Sequence, residues 1–197
     1  MDRFRGYIAG IGTASGTRLV VGHWLESPFG AFTDVMAENK AGSRLLLAPN
    51  PAVAEYIGGT YSFDAVDVVD VRARLTAVNL LVSAGPLRLN LSLGARTLLG
   101  RLLEQVPPAL AVHPRWLAAI NPVAGLLVPG VRTAGSAGGE RREYYGVRSI
   151  RSIERADATW EGREMGALGP IDPPVHFGFS STPSAPQIVA VTTSIVS

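Results

Sequence analysis

Two carboxylates four residues apart open the chemical reading. In "AFTDVMAEN" (31–39), Asp34 and Glu38 fall on one face of a strand with Phe32 and Met36. A carboxylate among apolar side chains resists ionisation and can act as an acid or a base. If that face lines a cavity, Asp34 is a candidate catalytic group, and Glu38 and Phe32 are candidate ligand contacts. If it looks outward, the same carboxylates are simply solvated.

A second constellation lies in "GVRTAGSAGGERREYYG" (130–146). Arg132, beside a glycine-rich turn, has the planar fork that binds a carboxylate or phosphate through two hydrogen bonds. Glu143 and Tyr145 point the same way on a strand, which makes them an acid–phenol pair. The other reading is a solvated hairpin laced with cross-strand ion pairs. His176, in "PPVHFGFSS", stands between prolines that stiffen the backbone and aromatics that exclude water. It is read either as a packing residue or as a titratable group at a pocket rim. His23 and His113 lack such a setting, and Trp24, Trp116 and Trp160 are read as core or interface.

"GIGTASGTRLVVG" (10–22) resembles a phosphate-binding loop but fails two requirements. Its spacing, G-x-G-x-x-x-G, is one residue too long, and Thr and Val residues that favour a strand follow it where a helix is needed. A strand–turn–strand is expected, and no cofactor is assigned.

Composition narrows the chemistry further. The 197 residues include no cysteine, which removes disulfides, thiolate nucleophiles and thiolate metal sites. The three histidines stand far apart, so no metal site is read. Lys40 is the one lysine, the only side chain available for a Schiff base. Charged residues make up 17% and apolar ones 47%, which suits a single domain over 1–197 with a sizeable core. The N-terminus has no apolar signal region and no stretch is long enough to span a bilayer, so a cytoplasmic protein without a transmembrane segment is expected.

The elements that must position these residues are mostly strands. Period-two alternation runs through 17–25, 31–39, 43–49, 66–75 and 87–93, and resumes at 142–150, 155–162 and 187–196. Asn50 and Pro51 start a short helix over 51–58. "ARTLLGRLLEQV" (95–106) carries Leu98, Leu99, Leu102 and Leu103 on one helical stripe, which predicts a buried face. With 114–128 it forms a helical insertion, 95–131, packed on the sheet. The fold expected is mainly β (α+β): an antiparallel β-barrel or strongly bent sheet with that insertion.

"SPFGAFTDVMAE" (27–38), "NPAVAEYIGGTYSFDAVDVVDV" (50–71) and "PPVHFGFSSTP" (173–183), in that order, resemble the acetoacetate-decarboxylase-like group of β-barrels, which has bacterial members. The resemblance covers about two thirds of the chain. It implies a barrel with a cavity. The decarboxylase employs a lysine nucleophile beside a second lysine, and this chain has neither near "YIGGTYSFDAV", so that chemistry is not implied.

Two functions compete at this stage. One is a barrel that binds or acts on a small organic anion. The other is a non-catalytic module that forms a homodimer, or docks a partner, through the apolar segment 95–131. Nucleic-acid binding is not expected, because Glu140, Glu143 and Glu154 dilute the arginines of 141–155.

Overall fold

The computed structural model describes residues 1–107, 116–117, 134–136, 142–178 and 181–196. The chain opens with a hairpin of β1 (Asp2–Thr13) and β2 (Arg18–Glu26). The glycine loop is its turn: Gly16 sits at φ +84°, a region open to glycine, and its amide donates to the Thr13 carbonyl at 2.9 Å. No helix follows.

β3 (Phe32–Glu38) and β4 (Arg44–Ala48) form the next hairpin. The Asn39 side chain closes its turn by accepting from the Ala41 and Ser43 amides at 2.9 and 3.0 Å. Helix α1 (Pro51–Gly58) starts as its sequence predicts. Asn50 accepts from the Val53 amide at 2.9 Å, Pro51 fills the first turn, and Val53, Ala54 and Ile57 are buried. The helix is a crossover, so β5 (Ala65–Val68) lies parallel to β4 in an otherwise antiparallel ladder.

β6 (Val71–Leu75), β7 (Asn79–Ala84) and β8 (Leu87–Arg96) form a meander, followed by helix α2 (Leu98–Leu103) and the short β9 (Ala134–Ser136). The chain continues through β10 (Arg142–Trp160), β11 (Arg163–Glu164), β12 (Leu168–Gly169) and β13 (Gln187–Val196). The main sheet runs β5-β4-β3-β2-β1-β13-β10-β8-β7-β6 and curls into a half-barrel. The mainly-β expectation holds, with one parallel pair inside a mixed sheet.

Three expectations about element bounds are corrected. Residues 66–75 are two strands at opposite ends of the sheet, because alternation reads the same before and after a change of partner. Residues 142–162 hold one 19-residue strand, β10, whose register shifts near 147–149 and 151–155 interrupt the alternation. The helix read over 95–106 is only α2, since β8 persists to Arg96 and Thr97 caps the helix by accepting from the Gly100 amide at 3.0 Å.

The leucine stripe of α2 is split. Gly100 lies against the Ile150 backbone, while Leu98 and Leu102 are 79% and 67% exposed. The stripe is wider than the strip of helix that meets β10. Of the segment read as helix over 114–128, only Trp116 and Leu117 are described, and both are helical.

The two sheet faces have different tasks. One holds the main core, in which Ile11, Leu19, Val21 and Val35 pack with Leu80, Leu89, Leu91 and Ile153. The other carries Phe4, Val20 and Phe32 and is covered by α1 and by the segment around Ile171, Val175 and Phe177. Among the described residues, no helix is long and apolar enough to cross a membrane.

Candidate functional site

A cavity of about 410 Å³ lies on that second face. Its floor follows from the strand register. Asp34 stands opposite Gly22, Gly22 opposite Ile8, Ile8 opposite Val189, and Val189 opposite Ile150, one row across five strands. The next row is Phe32, Trp24, Gly6, Val191 and Val147. A third is Phe4, Thr193 and Tyr145. Alternate residues share a face, and apart from Gly6 all of these line the cavity. The rest of the wall includes residues of α1, Leu99 and Leu103 of α2, Tyr61, Glu143, Val175 and Phe177. The lining is mostly apolar, with a few hydrogen-bonding groups.

Asp34 is 1% exposed. The Trp24 indole donates to its Oδ1 at 3.0 Å, and among the described residues its Oδ2 has no hydrogen-bond partner. Burial pushes its pKa up to about 7, against the opposing hydrogen bonds from Trp24 and its own backbone. Near neutral pH the group can therefore hold or release a proton.

Glu143 is fully buried on β10. The Tyr61 hydroxyl donates to its Oε1 at 2.7 Å and lies 2.9 Å from the Tyr145 hydroxyl. Desolvation, with Glu143 and the partner phenol close by, holds Tyr61 well above the ordinary phenol pKa. Tyr145 is raised by desolvation and by Glu143. Both are therefore neutral hydrogen-bonding groups. Tyr61 follows α1 by three residues, and its ring packs so close to Gly178 that a Cβ there would lie 2.7 Å from it.

The other sequence candidates separate from this group. Phe32 lines the cavity, with its ring edge-on to Phe4 and Phe29 at 6.3 and 6.4 Å. Glu38 is buried but is not part of the wall. Its carboxylate pairs with Arg18 Nη2 at 2.8 Å and accepts from the His176 amide at 2.8 Å. The His176 ring is 70% exposed, with Nδ1 3.6 Å from Glu38. Its backbone, rather than its imidazole, ties the covering segment to β3. Arg132 and His113 lie outside the described residues. Lys40 is exposed in the β3–β4 turn and away from the cavity. No cluster among the described residues could hold a metal ion.

Sequence reasoning missed Tyr61, Arg18 and Gly22 and assigned Trp24 to packing. Period two puts Val20, Gly22 and Trp24 on one face, a partial signal for that strand. Nothing in the sequence announces that Tyr61 meets Glu143, 82 residues away.

Fold and site together define a half-barrel with an apolar cavity and buried acids in its wall. No protein-family model matches the chain, and no curated protein does. Among solved structures it is similar to an acetoacetate decarboxylase from Legionella pneumophila. That similarity is 9% in identity with a TM-score of 0.45, over 100% of this chain and 87% of the other.

Proposed function

We propose that this half-barrel binds a small organic acid in its cavity, taking up the anion together with one proton. The observation that carries the reading is Asp34, a buried carboxyl whose Oδ2 has no partner among the described residues and which lines an apolar wall. The described wall holds no lysine or arginine. An ionised ligand beside an ionised Asp34 would set two like charges in a medium that screens poorly. One shared proton removes that cost, because protonated Asp34 donates to the ligand carboxylate. Phe32 and Trp24 provide apolar contact, and Glu38 and the His176 backbone hold the cover in place. Glu143, Tyr145 and Tyr61 form a polar group elsewhere in the wall. Arg132, the anion partner expected from sequence, lies outside the described residues.

Calorimetric titration with octanoic and phenylacetic acids, in buffers of different ionisation enthalpy, tests the proposal. Proton uptake on binding near neutral pH, absent in Asp34→Asn, is expected. No binding, or binding without proton uptake, overturns it.

The exposed Leu98 and Leu102 favour a second reading, in which α2 docks a second copy of the chain. Light scattering of the wild type and of Leu98→Asp/Leu102→Asp separates the two. A dimer that the double variant dissolves supports docking, and a wild-type monomer removes it.

A further inference from the structure

Once Asp34 is assigned, two threonines of the cavity wall, Thr182 and Thr193, still carry a hydroxyl with no hydrogen-bond partner among the described residues, and Thr193 is the more deeply buried. Thr193, on β13, is 3% exposed and lines the cavity, and its Oγ1 has no hydrogen-bond partner among the described residues. Buried hydroxyls in folded proteins are nearly always hydrogen-bonded, so this one needs an explanation. Its cross-strand neighbours are Phe4 and Tyr145. Phe4 offers no hydrogen bond, and the Tyr145 hydroxyl is engaged with Tyr61 at 2.9 Å.

The positions of the two atoms matter as much as their chemistry. From Asp34 on β3 to Thr193 on β13 is three strand steps, through β2 and β1. That is roughly 14 Å along the sheet, shortened by its curl. The two also lie in different rows of the floor, with the row of Phe32, Trp24 and Val191 between them. A single carboxyl group cannot touch both, and the wall between them is apolar.

We infer that Asp34 and Thr193 are the two ends of one recognition site, and that the ligand is an elongated organic acid with an apolar middle and a hydroxyl or carbonyl at its far end. The inference rests on the reading of the cavity proposed above and adds the second anchor. A threonine hydroxyl both donates and accepts, so it suits a hydroxyl or a carbonyl equally.

The test compares octanoic, decanoic and dodecanoic acids with their ω-hydroxy counterparts, by calorimetry on the full chain. In the wild type, at least one ω-hydroxy acid binds roughly three- to tenfold tighter than its parent, the gain of one added hydrogen bond. Thr193→Val removes that gain and leaves the parent acid unchanged, while Thr193→Ser keeps it. Two results overturn the inference and leave the cavity reading intact: no hydroxyl gain at any chain length, or a Thr193→Val variant that weakens parent and hydroxy acid equally. If none of the acids binds, the cavity reading falls and this inference falls with it.

Discussion

Gly22 faces Asp34 across the β2–β3 ladder, and a Cβ at Gly22 would lie 2.5 Å from Asp34 Oδ1 and 2.7 Å from Trp24 Nε1. The missing side chain is what leaves room for the indole to donate to the carboxylate within the cavity floor. Gly22→Ala should therefore force the pair apart, with a loss of about 1–3 kcal/mol in urea unfolding, as for an overpacked core. Acid binding should weaken with it. A variant as stable as the wild type and with unchanged affinity would show that the pair tolerates displacement.

The Asp34 carboxyl stays protonated in the folded chain up to about pH 7, whereas it ionises near 3.8 in the unfolded chain. Between those values the unfolded state binds fewer protons than the folded one, so stability falls as pH rises. The loss should be on the order of 4 kcal/mol, complete above about pH 7 and absent below about pH 4. Asp34→Asn should lose this part of the slope. Parallel stability–pH curves for the two proteins would place the carboxyl in a wetter setting than the structure shows.

Arg18 and Glu38 form a buried pair, with side chains 3% and 5% exposed. Breaking such a pair on one side leaves an uncompensated charge, so Glu38→Gln should cost about 3–5 kcal/mol in thermal unfolding. The apolar double variant Arg18→Met/Glu38→Leu should cost less than the single one, although it also gives up the bond to the His176 amide. A double variant worse than the single would mean that this amide bond matters more than the ion pair.

Removing the Tyr61 hydroxyl takes away the 2.7 Å donor to Glu143 and the 2.9 Å contact with Tyr145. Tyr61→Phe should lose about 1–3 kcal/mol, because a buried acceptor then lacks that donor. In an ultraviolet pH titration the variant should also lose one late-ionising phenol, since desolvation holds Tyr61 well above the ordinary range. Loss of an early-ionising component instead would place Tyr61 in water.

Much of the architecture was legible in the residues. Asn50 and Pro51 determine where α1 begins, and alternation in 31–39 puts Phe32, Asp34 and Met36 on the face that lines the cavity. The turn at Gly16 follows from strand-forming residues on both sides of it. These are local matters, settled by backbone preference and by the two-residue repeat of a strand. Beyond that hairpin, tertiary structure decided which strands became neighbours. Period two is silent on whether 66–75 keeps one partner or exchanges β4 for β7, and on which residue of β2 stands across from Asp34. The environment of each acid followed from that pairing. On one strand, Asp34 reached an apolar cavity beside Trp24, while Glu38, four residues on, reached Arg18. Carboxylates of the same strand thus differ in chemistry because burial and partner are set by the chain that folds against them, not by the residues beside them in sequence.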